Sequence, residues 1–295
     1  MGFKKAILIL LIFCHHLIIT AQIKKNTFQI NIGPVLIHEN FKWSIAGNEN
    51  GTDPNILSEL KFKNIRKTGG QLGVLWQFSP HLSINAQVSQ LHTFDGNATD
   101  IDYAGDDRTN PIVQLNFVSK KGKENDFKTS LHYLFMRHEK LRLAAGAGYY
   151  FSKSGYFLHG VEKSDNKGNY VVRWRGPVVA FDGGIFLYKK GGLQMALDYR
   201  YLFYHADADW ALRNDFAHPV SFTHNANGVG INVYTGLYYS FSSFFQLQLG
   251  GFLGYWHTGH GIDVLYMANG DLQKTKMNES LKNQWGIRMQ GVFNF

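Results

Sequence analysis

Two Asp-x-Asp steps carry the most chemistry in this chain: Asp100-Ile101-Asp102-Tyr103 and Asp207-Ala208-Asp209-Trp210. In an extended backbone, residues two apart project from the same face, so each step sets two carboxylates side by side. Carboxylates that close raise one another's proton affinity, or share a cation, a water or a basic ligand. Hydrolysis would need a general base as well. His, with an ordinary pKa of about 6.5, suits that role better than Asp at about 3.9, and His205 and His218 lie nearest Asp209 in sequence. The plain alternative is that both pairs are solvated carboxylates at loop edges.

The segments that present these pairs alternate with period two. Leu193, Met195, Leu197, Tyr199, Tyr201 and Phe203 are apolar, with Gln194, Ala196, Asp198 and Arg200 between them. Ile231 to Phe241 and Leu141 to Phe151 repeat the pattern. One greasy face and one small, polar or charged face is what a β-strand displays. Strands are predicted near 26–44, 56–78, 82–103, 111–136, 140–158, 172–188, 193–207, 224–241, 245–262 and 281–295. Short connections such as Ser79-Pro80-His81 and Arg137-His138-Glu139 alternate with long ones near 45–55, 104–110, 159–171, 208–223 and 263–280. Both acidic pairs fall where a strand enters a long loop, so both are expected at the same rim.

An even strand number, short turns at one end and long loops at the other are marks of an outer-membrane barrel. The strands far exceed the usual globular length of about 5–6 residues, aromatics gather toward strand ends, and the chain finishes on Phe295. A water-soluble lipocalin-type barrel would place its apolar face inward and explains these features less well. The predicted fold is all-β: a ten-stranded antiparallel up-and-down transmembrane β-barrel. Eight strands make an interior that side chains just fill, so ten leave no room for a wide pore.

Composition agrees. The 295 residues are 44% hydrophobic, 15% aromatic and only 18% charged, against about 25% charged in an average soluble domain. Lys4 and Lys5, the apolar run Ala6 to Ile19 and Thr20-Ala21-Gln22 read as a signal peptide over 1–21, leaving a barrel over 22–295. Cleavage there removes Cys14, the single cysteine, and lowers the formal charge from +8 to +6. No later apolar run is long enough for a membrane helix. The scattered His residues, His257 and His260 included, lack the partners of a zinc site, so no metal is expected. Glycine pairs without a strand-to-helix context hold no nucleotide, so no cofactor is expected. The basic excess forms no dense tract, so nucleic acid is not an expected partner.

The order of features resembles the omptins, outer-membrane proteases built as ten-stranded barrels with the active site in the extracellular mouth. The resemblance runs over most of the chain after the signal. It is carried by Ser58-Glu59-Leu60-Lys61-Phe62-Lys63, by Asp100-Ile101-Asp102-Tyr103, by Pro111-Ile112-Val113-Gln114-Leu115-Asn116, by Ala147-Gly148-Tyr149 and by Arg173-Trp174-Arg175-Gly176-Pro177. The Protochlamydia outer-membrane protein group is similar in the same way. Omptin resemblance implies an Asp pair facing an Asp–His couple across a groove. Asp100 and Asp102 match the pair and Asp209 matches the Asp of the couple, but the His position is Ala211. A further family His corresponds to Asn110. Resemblance also places Glu39 and Asp207 where a basic substrate side chain is received, and Tyr149, Lys153 and Arg173 where lipopolysaccharide is held, with Phe151 in place of an acidic partner.

The expectation is an omptin-like surface protein of the cell outer membrane, with lipid, including lipopolysaccharide, and cationic peptides as partners. Its acidic mouth is expected to bind without efficient proteolysis. An active endopeptidase with a rebuilt site around Asp100, Asp102 and Asp209, and a small porin, are the alternatives.

Overall fold

Alternating side chains on long strands leave the backbone polar groups of a membrane protein one way to pair, which is to close the sheet on itself. The computed structural model, which describes residues 27–162, 166–188 and 190–295, does so with eleven strands. They are β1 (Thr27–Ile45), β2 (Ser58–Gln77), β3 (Leu82–Gly105), β4 (Thr109–Val118), β5 (Lys123–Arg137) and β6 (Leu141–His159). There follow β7 (Asn166–Tyr188), β8 (Gly191–Asp209), β9 (Phe222–Ser240), β10 (Phe245–Tyr266) and β11 (Leu272–Asn294). Neighbours are antiparallel, β1 pairs with β11, and β2 pairs with β3, so the ring is complete. The predicted signal segment, 1–21, lies outside the described residues.

The predicted fourth strand, 111–136, is divided. β4 pairs with the loop-end half of β3 and β5 with its turn-end half, so the eleven strands fill ten wall positions. The break sits at 119–122, where the backbone steps inward to bond β3: Ser119 N–H donates to Gly96 O and Lys121 N–H to Thr93 O, at 2.8 and 2.9 Å. Lys121 takes a left-handed φ of 63° there. The predicted last loop, 263–280, shrinks to 267–271 because β10 and β11 stay paired as far as Tyr266 and Leu272.

The greasy face points outward, toward lipid. Leu36, Leu72, Val88, Leu131, Phe181, Leu197, Leu237, Leu253 and Ile287 are all exposed on the wall. Phe28, Trp76, Tyr133, Phe241, Phe244 and Phe295 ring the turn end, as an interfacial aromatic girdle requires.

Inside, packing closes the lumen at two levels. The lower is ionic. Lys67 Nζ donates to both oxygens of Glu39 at 2.9 Å and to Glu124 Oε2 at 2.6 Å. Lys282 Nζ stands 2.9 Å from Glu39 and 3.1 Å from Glu124. Tyr156 and Ser154 hydroxyls donate to the same carboxylates at 2.6 and 2.7 Å. All four charged side chains are buried. Nearby, Asp198 takes Lys128 at 3.0 Å and Arg200 at 2.9 Å. The upper level is an aromatic core from facing strands: Phe41, Trp43, Phe62, Tyr156, Tyr170, Trp174, Tyr204, Phe222 and Trp256.

Two outcomes follow from this interior. Lys282→Met leaves Glu39 and Glu124 to share one cation, and breaking a buried pair costs about 3–5 kcal/mol; the urea midpoint of detergent-folded barrel falls accordingly, and adding Glu39→Gln recovers part of it. In planar bilayers the reconstituted protein shows no steady open-channel conductance, whereas a discrete open state would contradict the packed lumen.

Candidate functional site

The position of each Asp-x-Asp step is decided by strand parity. On the turn-end half of β3 the odd residues face the lumen: Ser83, Leu91 and Thr93 are buried while Ile84, Val88 and Phe94 are exposed. Two bulges then intervene. Lys67 pairs with Thr93 but Arg66 with Asp95, which adds Phe94 to β3, and Lys63 pairs with Asn97, which adds a residue to β2 beside Asn64. Asn64 holds a left-handed φ of 56°, and its N–H donates to Asn40 Oδ1 at 2.9 Å. A bulge turns the following residues to the opposite face. Gly96 lies at the crossing, where a Cβ would stand 2.3 Å from the Ile65 side chain. Beyond it the even residues face inward, so Ala98 and Asp100 are buried and Asp102 is half-buried.

Asp100 lies opposite Leu60, which belongs to the aromatic core, and Asp102 lies opposite Ser58. Burial is the largest influence on Asp100 and the Asp102 carboxylate adds to it, pushing its pKa up to about 8. Burial also raises Asp102, against a Ser58 hydrogen bond and the charge of Arg213 that favour ionisation. At neutral pH the pair therefore holds a proton on Asp100.

β8 has no bulge. Its even residues stay inward from Asp198 through Leu202, Tyr204, Ala206 and Ala208, and its odd residues stay outward. Asp207 and Asp209 accordingly share the outer wall with His205. Asp207 is paired with Arg173 and with His205 at 2.9 Å. Burial would raise its pKa, but these partners, Arg173 foremost, hold it below the usual range. His205 Nδ1 lies 2.7 Å from Asn225 Oδ1. Asp209 Oδ1 meets His218 Nδ1 at 2.6 Å, and His218 Nε2 lies 3.2 Å from Arg213 O. The Asp209 hydrogen bond raises the His218 pKa above its ordinary value.

An Asp–His couple therefore exists, with the imidazole supplied from the loop 210–221 rather than from the position of Ala211. It does not face Asp100 and Asp102. The expected groove between Asp209 and the Asp100 pair is corrected: the two steps share the loop end of the barrel but lie on opposite faces of the wall. Opposite Asp209 on the inner side stand Ala206, Ala208 and Trp210, which are apolar and buried.

Glu39 is also corrected. It sits at the ionic level beneath the aromatic core, fully buried and saturated by Lys67, Lys282 and Tyr156, so no substrate cation reaches it. Asp207 is likewise occupied, by Arg173 and His205. The three residues matched to lipid binding do share one surface: Tyr149 and Lys153 lie on the outer face of β6, with Lys153 directly across from Arg173.

Loop 210–221 lies down over the lumen. Leu212 and Phe216 pack on the aromatic core, Phe216 bridges to Met267, and Ala217 N–H donates to Tyr266 O at 2.8 Å. Arg213 chelates Asp215 at 2.8 and 2.6 Å, and its charge favours ionised Asp102. A basic side chain of the protein's own thus stands near the acidic pair. Nothing in local sequence marks Arg213. A second buried set is equally unmarked in local sequence: His224 Nε2 is 3.0 Å from Asp263, His224 Nδ1 is 2.6 Å from the Tyr170 hydroxyl, and Tyr170 meets Tyr204. Only the inward parity of His224 and its pairing with Asp263 across β9 and β10 bring these together. Among the described residues no group of three or more His, Cys, Asp or Glu is arranged to hold a metal ion.

The family model for Protochlamydia outer membrane proteins matches residues 37–288. No curated protein matches the sequence. Among solved structures, the outer membrane protease OmpT from Escherichia coli is similar with a TM-score of 0.67 at 17% identity, over 94% of this chain and 99% of that one. The outer membrane protein OprG from Pseudomonas aeruginosa is more distant, with a TM-score of 0.41 at 9% identity over 92% of this chain and 97% of its own. At such identities the OmpT likeness establishes the fold, an omptin-like outer-membrane barrel.

The raised pKa of Asp100 has a measurable consequence. Between about pH 3.9, the unfolded value, and about 8, the native state holds a proton that the unfolded state has released. Stability contributed by this group therefore falls as pH rises through that window. Asp100→Asn is expected to remove the dependence: its urea midpoint exceeds that of the wild type at pH 8, and the gap narrows toward pH 4.

Proposed function

The chain belongs to the Protochlamydia outer membrane protein family, and from that premise we propose that it is a surface-exposed barrel whose mouth binds cationic peptide side chains at Asp100 and Asp102 without cutting them. The observation that carries this is the opposite facing of the two Asp-x-Asp steps. Water activation in the omptin manner needs an imidazole within about 2.6–3.2 Å of the water and a carboxylate pair on its other side. Here the imidazole of His218 is committed to Asp209 on the outer wall, while the pair lies inside the rim among apolar side chains.

The pair suits a cation. Its proton leaves when a lysine or arginine approaches, which replaces a neutral carboxyl by a charge-assisted contact. Arg213 acts on Asp102 through its charge while its guanidinium is bonded to Asp215, which leaves the Asp102 carboxylate able to take a ligand cation. On the outer wall, Lys153, beside the Asp207-paired Arg173 and above the lipid-facing Tyr149, is suited to the phosphates of lipopolysaccharide, with the remaining donors of Arg173 adding to it.

The test is a fluorescent dibasic peptide titrated into protein refolded in detergent with lipopolysaccharide, beside a quenched version of the same peptide. Saturable binding without turnover is expected. Asp100→Asn with Asp102→Asn weakens it by about 10–100-fold, the size of a lost charged hydrogen bond. Because binding expels the Asp100 proton, affinity rises by up to about tenfold per pH unit toward pH 8 and levels off above it. Turnover abolished by His218→Ala would overturn the reading in favour of an endopeptidase.

A further inference from the structure

Among the described residues β4 is paired along one edge only. It pairs along β3 from Val118 opposite Asn97 to Thr109 opposite Gly105. On its other edge the described residues offer one pair, Val118 with His159. β6 takes β5 as its neighbour on that side only up to Ser154 opposite Glu124, and it ends at His159. Among the described residues the β3–β4 hairpin thus extends past the end of β6, and β4 from Thr109 to Phe117 has no strand on its outer edge. Every side chain from Thr109 to Asn116 is exposed.

Exposed edges invite another strand, and proteins usually blunt them with charge, bulges or proline. β4 has Pro111 at its start and no charged residue anywhere, and Ile112, Val113 and Leu115 are exposed along it. From Ile112 to Phe117 the edge is apolar or amide-bearing and rich in β-formers. At its foot lies a second unsatisfied feature. His159 is only 8% exposed, yet neither ring nitrogen has a hydrogen-bond partner. Buried polar groups are ordinarily paired, and a carbonyl or carboxylate arriving at the foot of the seam would pair this one.

The edge is in register with the acidic pair. Leu115 lies opposite Asp100 and Val113 opposite Asp102, and directly opposed residues share a face. We propose that the β3–β4 hairpin is a β-addition site, at which an extended peptide with basic residues at alternate positions pairs its backbone with β4 between Ile112 and Phe117 and presents its cations to Asp100 and Asp102. The proposal rests on the cationic-peptide reading above and adds the conformation and sequence spacing of the ligand. An added strand lies one strand spacing, about 4.8 Å, beyond β4. Lysine or arginine stems laid over Val113 and Leu115 carry their charged ends back toward β3. Backbone pairing supplies affinity and the alternate side chains supply selectivity, the usual division of labour in strand addition.

The experiment uses full-length refolded barrel and an end-blocked hexapeptide alternating lysine and valine. Two further versions are N-methylated at alternate residues, one in each parity, which leaves charge unchanged but removes the donors facing one side. One methylated version is expected to bind about tenfold or more weakly than the parent and the other nearly as well. Amide exchange within 112–117 slows on binding at every second residue. If all three peptides bind alike and exchange in 112–117 is unchanged, β-addition is overturned while cation binding at the Asp pair stands. If the parent hexapeptide does not bind at all, the underlying reading fails and β-addition with it.

Discussion

Lys67 and Lys282, held between Glu39 and Glu124, join strands that the chain supplies from both of its ends. Glu39 lies on β1, Lys67 on β2, Glu124 on β5 and Lys282 on β11. A barrel this narrow has no room for bulk water around four charges, so each must be neutralised by a neighbour. Two cations and two anions, with Tyr156 and Ser154 filling the remaining acceptor sites, meet that demand and tie the seam where first and last strands close. Above them the aromatic core rests on Tyr156, which faces both levels.

The closed interior determines what the loop end does. With the lumen closed at two levels, the loop end presents its rim, the loop 210–221 and the hairpin of β3 and β4. At the rim the inner face offers carboxylates, and the outer face offers alternating cations and anions in which Arg173, Asp207 and His205 already satisfy one another. Two chemically similar Asp-x-Asp steps therefore have different work. One is buried enough to keep a proton at neutral pH. The other anchors a loop, through His218, and orders the wall, through Arg173.

Bulges are the means by which one chain gives its repeated steps different environments. A single extra residue in β3 at Phe94, answered by one in β2 beside Asn64, turns Asp100 and Asp102 inward. The same region carries the break between β4 and β5, since Gly96 and Thr93 accept the backbone bonds of Ser119 and Lys121. Parity change, the split strand and the raised hairpin are thus one local event. It brings the acidic pair and the open edge of β4 to the same place, and β8, which lacks such an event, has neither.

Period-two alternation, the short and long connections and the aromatic strand ends determined the closed antiparallel barrel, its lipid-facing side and the end at which the acidic pairs lie. These are properties of every residue's neighbours in the chain, and each strand repeats them many times over. Sequence also showed that Ala211 is no base and that His205 and His218 were the nearby imidazoles. Tertiary structure decided the rest. Whether Asp100 and Asp209 face each other depends on one inserted residue in each of two strands, and alternation is equally good on both sides of a bulge. Glu39 matched a rim carboxylate by resemblance because its partners, Lys67, Tyr156 and Lys282, are distant in sequence and meet only when the ring closes. The charge of Arg213 reaches Asp102 only because Leu212 and Phe216 pack on the aromatic core and draw the loop across the mouth.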